Sequence, residues 1–264
     1  MKSVQRNDYL KFSELREYLV VKSNDLIQKS RFALTLQEQR IVLYLISKIK
    51  PDDDALEWQE FEVIEFCKVC GIDCANGKNY KNIKDTILTL AEKSAWIMVE
   101  DKQGEEEQII VRWISKARIS PKSGRIKIKL DDDMKPYLLQ LRKRFTQYRL
   151  YYTLAMRSQY SIRLYELLKS YEWQSGKIFG IDELKTILNA AHYTQYGDFR
   201  RNVISIAIDE INLLSDIKVV YALIKEGRRY SKIEFKVQLK KDMDERLSTF
   251  VNIESIISGK QEAN

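Results

Sequence analysis

The sequence predicts an α+β protein made of two tandem copies of one helix–strand–helix–helix–hairpin unit. Residue patterns recur at a nearly constant offset. Leu43-Tyr44 answers Leu164-Tyr165, Val63-Ile64-Glu65-Phe66 answers Ile181-Asp182-Glu183-Leu184, and Lys81-Asn82-Ile83 answers Arg201-Asn202-Val203, at offsets of 121, 118 and 120 residues. Helical stripes and alternating strands follow one another in the same order around both sets. Charge separates the copies: Arg142–Lys241 carries 19 Lys and Arg against 10 Asp and Glu, whereas residues 1–141 carry 24 against 23.

In the first copy, a short helix is expected around Phe12–Leu19, and Ser23-Asn24-Asp25-Leu26-Ile27 opens the next segment. Thr35-Leu36-Gln37-Glu38 reads as a helix start, and Ile41, Val42, Leu45, Ile46 and Ile49 give a stripe that stops at Pro51. Phe61–Ile64 is expected as a short strand running into a helix over Glu65–Cys70. A turn over Gly71–Asn79 and a helix over Tyr80–Lys93 come next. Strands are expected at Ala95–Glu100, Gln108–Ser115 and Lys116–Leu130, the last broken by the turn Pro121-Lys122-Ser123-Gly124. Asp131–Arg144 reads as a short helix at the seam, dividing the chain into units 20–145 and 146–241 with flanks 1–19 and 242–264.

The second copy begins with a long helix, Leu154–Trp173, a strand at Lys177–Ile181 and a helix at Asp182–Asn189. The helix that follows, Tyr196 to Leu214, is the centre of the functional reading. Asp198 is a good N-cap, and Val203, Ile204, Ala207, Ile208, Ile211 and Leu214 form one apolar face. On α-helical geometry Arg201, Asn202, Ser205 and Asp209 fall opposite, where Arg and Asn can pair with guanine and adenine edges. Arg200 projects nearer the core side, which suits a phosphate contact. A hairpin of Ile217–Lys225 and Tyr230–Leu239 follows, joined by Glu226-Gly227-Arg228-Arg229. Val219, Tyr221 and Leu223 alternate on one strand, and Ile233, Phe235, Val237 and Leu239 on the other. Arg228, Arg229 and Lys232 sit at or beside the tip.

A helix opened by two arginines and followed by an arginine-tipped hairpin outlines a winged helix that reads DNA. A solvated charged face would explain the helix alone; the hairpin and the basic excess favour a polyanionic partner. In the first copy Asp85 stands where the second has Ser205, and a carboxylate there would repel phosphate. Lys81, Lys84, Lys122 and Arg125 still offer backbone contacts. The second copy is therefore expected to read bases and the first to bind more weakly or by backbone alone.

Other chemistries find little support. Cys67, Cys70 and Cys74 are the only cysteines and His192 the only histidine. Zinc normally takes four ligands, so the cysteines read as buried or partly buried free thiols and no metal is expected. One histidine does not supply the paired metal ligands of a rolling-circle nickase. Gly71 to Gly77-Lys78-Asn79 departs from a P-loop in spacing and in its last residue. The expectation is no enzyme and no cofactor. No apolar run approaches a membrane span and no signal-peptide core is visible, so a cytoplasmic protein without membrane contact is expected.

The chain resembles the iteron-binding replication initiators of bacterial plasmids, the Rep_3 type. The carrying stretches are Val20–Ile27, Leu34–Arg40, Tyr160–Leu168 and Asp198–Val203, within about residues 20–240. The resemblance implies two winged helices that bind directly repeated origin sites as a monomer. It also implies help in melting adjacent duplex, recruitment of the host initiator and replicative helicase, and repression of the protein's own promoter as a homodimer. The first winged helix would supply much of the dimer contact. By position, Arg200, Arg201, Asn202 and Ser205 would fall on the recognition helix and Arg228 and Arg229 on the wing. A winged-helix repressor without initiator activity is the alternative, and a protein–protein adaptor a more distant one.

Overall fold

The computed structural model describes residues 14–50, 52–72, 77–100, 103–120, 123–227 and 229–258. Lys122, Arg228 and Cys74 lie outside these, as does Phe12 at the start of the first expected helix. Strand β1 (Leu19–Ser23) leads into α1 (Asn24–Gln28), β2 (Ser30–Arg31) and α2 (Leu36–Ser47). The start of α2 is a capping box: the Glu38 amide donates to the Thr35 hydroxyl at 3.3 Å, and the Thr35 amide donates to the Glu38 carboxylate at 2.7 Å. Strand β3 (Gln59–Glu62) passes directly into α3 (Val63–Cys70), which ends at Gly71 with φ 64°. Then come α4 (Gly77–Ala91), β4 (Ser94–Glu100), β5 (Glu106–Arg112), β6 (Ile114–Ser120) and β7 (Arg125–Leu130).

Two expectations change here. The break between β5 and β6 falls at Trp113, not between Ser115 and Lys116. Its indole is 1% exposed and meets Phe32 edge-on at 5.2 Å, anchoring the corner where the chain leaves one sheet for another. The seam helix over Asp131–Arg144 shrinks to a 3-10 turn, Asp132–Met134, and a single turn, α5 (Lys135–Leu138). Leu139 is already extended. The chain then forms β8 (Phe145–Arg149), which pairs antiparallel with β1 from Leu19↔Arg149 to Ser23↔Phe145.

The chain continues with α6 (Tyr151–Leu154), α7 (Gln159–Lys169), β9 (Gly176–Gly180) and α8 (Ile181–Ile187). The single helix expected over Leu154–Trp173 is thus split, because the Ser158 hydroxyl accepts the Tyr160 amide and caps a new start. Next come α9, made of Tyr196–Phe199, Arg200–Ser205 and Ile206–Leu214 run together, then β10 (Ile217–Glu226), β11 (Arg229–Leu239) and α10 (Met243–Ile257).

The repeat is visible in topology. One three-stranded sheet has the order β3-β7-β6 and another β9-β11-β10, so each unit's early strand lies against the last strand of its hairpin. Val63 opens α3 as Ile181 opens α8. The first unit adds the sheet β2-β4-β5. The protein has two winged-helix domains.

A buried polar network ties α7 to β1, β2 and β8. The Arg163 guanidinium donates to the Ser30 carbonyl at 3.0 Å and lies 4.5 Å over the Phe32 ring. The Glu166 carboxylate accepts from Lys22 Nζ and from the Tyr148 hydroxyl, each at 2.5 Å. Lys22 and Glu166 side chains are 5% and 2% exposed. Desolvation pulls the Lys22 pKa down, against the attraction of Glu166. Arg40 Nη2 donates to the Leu154 and Met156 carbonyls at 2.9 Å. From the far end, α10 returns to the first domain. Arg16 pairs with Glu254 at 3.4 Å and donates to the Lys68 and Val69 carbonyls at the end of α3. A Cβ on Gly71 would stand 3.0 Å from the Ile257 Cα, so this glycine serves both the turn and the close approach.

Candidate nucleic-acid interface

Helix α9 carries most of the candidate residues, and its middle is a π-turn over Arg200–Ser205. A π-turn holds more residues per turn than an α-turn, so everything before it is rotated about one position around the axis. This corrects the expectation for Arg200, which is exposed, while Phe199 takes the core position at 0% exposure. Arg201 remains outward, Asn202 and Ser205 are half-buried on the flank, and Asp209 is exposed. The expected cap also changes. Gln195 precedes the helix, and Asp198 lies in its first turn, where its carboxylate accepts from Arg201 Nη2 at 2.6 Å. The Asp198 side chain thus answers a charge instead of the helix's free amides.

The hairpin is fixed to this helix by Asn212. Its side chain accepts from the Val219 amide at 2.7 Å and donates to the Val219 carbonyl at 2.9 Å. Strands β10 and β11 pair from Ile217↔Leu239 to Glu226↔Arg229, with an irregularity at Ile224/Lys225. Gly227 turns the tip with φ 64°. Ile233, Phe235 and Val237 are buried as expected, with Val219; Tyr221 and Leu223 are half-buried. Leu239 is 40% exposed, a correction to its inward placing: the alternation breaks at the end of β11, where Lys240 takes the buried position at 8%. Arg229 is exposed, and Lys232 pairs with Glu226 at 2.8 Å.

Sequence reasoning missed an aromatic cluster between helix and wing. The Arg200 Nε donates to the Tyr221 hydroxyl at 3.3 Å. The Tyr196 and Tyr230 rings lie 5.6 Å apart, and Lys225 Nζ stands 5.0 Å over the Tyr230 ring. Alternation had marked Tyr221 as a core residue, and the spacing of Tyr196 and Tyr230 carried no signal of their meeting. Ile206 was also unmarked; it is 43% exposed beside Ser205.

In the first domain, Lys81 and Asp85 on α4 are exposed and Lys84 is half-buried. Arg125, at the start of β7, lies 3.9 Å from Glu62. The two sets of candidates therefore occupy equivalent elements, the late helix and the hairpin of each domain.

The cysteines need one correction. Cys70 is a free thiol, buried, and desolvation pushes its pKa up to about 12. Cys67 is disulfide-bonded. Helical spacing described it as a small free thiol; it is buried in the last turn of α3 as expected, but its thiol is not free. Among the described residues no group of three or more His, Cys, Asp or Glu is placed to hold a metal ion. No helix among them is long and apolar enough to cross a membrane.

Two winged helices with basic hairpins, the second with Arg200 and Arg201 near the start of its late helix, define a class of DNA-binding architecture, and comparison with known proteins is specific within it. The family described as "Initiator Replication protein, WH1" matches residues 19–169, and "Initiator Rep protein, WH2" matches residues 180–237. The chain belongs to this initiator replication protein family. It is 30% identical over 178 residues to the PI protein of Escherichia coli, covering 60% of this chain and 57% of that protein. It is 25% identical over 240 residues to a replication initiation protein of Escherichia coli, covering 87% and 72%. The chain thus spans little more than half the length of the first of these relatives. Its fold is similar to that of a Pi initiator protein crystallised in complex with iteron DNA, with a TM-score of 0.69, 22% identity, and coverage of 86% of this chain and 99% of that one.

Proposed function

We propose that this protein initiates plasmid replication by binding repeated origin sites sequence-specifically. The observation that carries the reading is the outward Arg201 of α9, with Asn202 half-buried on its flank, beside a long basic hairpin, in a chain of the initiator family. In this reading unit 146–241 reads bases through Arg201, Asn202 and Ser205. Arg200, Arg229 and Lys232, with Arg228 at the tip, hold the phosphate backbone. Unit 20–145 adds backbone contacts through Lys81, Lys84, Lys122 and Arg125 and supplies the homodimer contact. Binding beside an AT-rich stretch promotes opening and brings in the host initiator and replicative helicase, and the dimer represses the protein's own promoter. The activity is binding and not catalysis, in the cytoplasm.

A replication assay tests this. A plasmid bearing the cognate origin should be maintained only when the protein is supplied. Maintenance without it, with DNA binding intact, would leave a winged-helix repressor as the correct reading.

A further inference from the structure

The junction between α9 and the wing holds an arginine whose neighbours are tyrosines. Arg201 is engaged by Asp198 and Lys232 by Glu226, but Arg200 pairs with no carboxylate among the described residues. Its one side-chain hydrogen bond spends Nε on the Tyr221 hydroxyl. Guanidinium has five donors in a planar fork, so both terminal nitrogens stay available in the geometry that takes a phosphate bidentately. The π-turn that begins at Arg200 brings it out of the core face and toward β10.

The surroundings fit an anion. The Tyr196 hydroxyl is buried without a hydrogen-bond partner, and such a group calls for an explanation. Burial, with Tyr221 and Tyr230 nearby, pushes its pKa up to about 12, so it is a neutral donor at physiological pH. Its ring rests against Tyr230 on β11, and Lys225 on β10 adds a second positive charge over that ring. Helix start and wing are thereby joined through the tyrosines around Arg200.

We propose that Arg200, held by Tyr221 with the Tyr196 hydroxyl beside it, binds a single backbone phosphodiester at the point where the reading helix meets the wing. The proposal rests on the DNA-binding reading above and deepens it. Tyr221 is a positioning residue: its hydroxyl fixes the plane of the guanidinium, and the phosphate then ties helix and wing to one register on the duplex. Phosphate contacts of this kind orient a reader without themselves specifying sequence.

The test uses the full chain and a duplex carrying one direct repeat from the replicon that encodes it. The phosphates are replaced one at a time by neutral methylphosphonates. In the wild type one linkage should weaken binding by about tenfold or more. Arg200→Ala should be indifferent to that linkage, and its slope of log K against log salt should shallow by about 0.9. Tyr221→Phe keeps the ring and the charge, so the slope should be unchanged. Its affinity should fall by about threefold to tenfold, and sensitivity at that linkage should diminish. If Arg200→Ala keeps full sensitivity at every linkage, or Tyr221→Phe matches the wild type, the phosphate site is refuted while preference for the repeat stands. If the wild type binds no duplex, the site and the initiator reading fail together.

Discussion

Arg201→Ala is the sharpest probe of base reading. A bidentate contact to a base edge is worth about 1–3 kcal/mol of discrimination. In the free protein Arg201 Nη2 is bound to Asp198 at 2.6 Å, with the two side chains 75% and 47% exposed. An exposed pair of this kind contributes at most about 1 kcal/mol. Reaching a base means giving up or sharing that bond, so the net loss expected for Arg201→Ala is about 1–2 kcal/mol, roughly fivefold to thirtyfold. The loss should be confined to the cognate site, with relaxed preference at one base pair. Asp198→Asn removes the competitor and a negative charge next to the groove, so it should tighten binding to cognate and scrambled duplexes alike. Titration of both variants on both duplexes over a series of salt concentrations decides the matter. Equal losses on the two duplexes for Arg201→Ala would refute base reading by this residue and move attention to Lys81 and Asn82 of the first domain.

The remaining predictions concern the wing and the frame. Arg229→Ala should weaken cognate and random DNA alike and shallow the salt slope by about 0.9, measured by the same titrations. Glu166→Ala leaves Lys22 buried without its partner and should cost about 3–5 kcal/mol in urea unfolding, whereas Lys22→Met with Glu166→Leu should recover most of it. Desolvation would raise the Glu38 pKa, but hydrogen bonds from Lys93, the Thr35 amide and Thr89 outweigh it and hold the carboxyl below its ordinary 4.5. That stability is complete above the unfolded value and is lost as pH falls through the folded one, so Glu38→Gln should flatten the acid limb of a pH–stability curve below about 4.5. Gly71→Ala combines a left-handed φ with a 3.0 Å approach to Ile257 and should cost about 1–3 kcal/mol, with earlier protease cutting in α10.

Much of the frame was legible because it is local. Thr35 and Glu38 announce a helix start by spacing alone, and the alternation through Ile233, Phe235 and Val237 fixes the buried face of the wing. The repeat was legible because Val63 and Ile181 begin equivalent helices. What escaped is non-local or one residue fine. The pairing of β1 with β8 joins segments more than a hundred residues apart with no pattern to announce it. An α-turn and a π-turn share the same apolar spacing to within a residue, so the outward swing of Arg200 could not be read from periodicity. The meeting of Tyr196 with Tyr230 depends on where the wing folds over the helix, which the Asn212 clamp on Val219 decides.

The π-turn in α9 also bears on how such a protein changes its target. Geometrically it is a one-residue insertion absorbed inside a helix. Loss of a single codon between Arg200 and Ser205 would let the segment relax to α-helix and turn everything before it by about 100° around the axis. Ala207, Ile208, Ile211 and Leu214, which lie beyond the turn, would keep their places in the core. The first turn, with Asp198 at its head, would present a different face to the groove. One small deletion would thus change the face offered to DNA, with repacking confined to the site that Phe199 leaves.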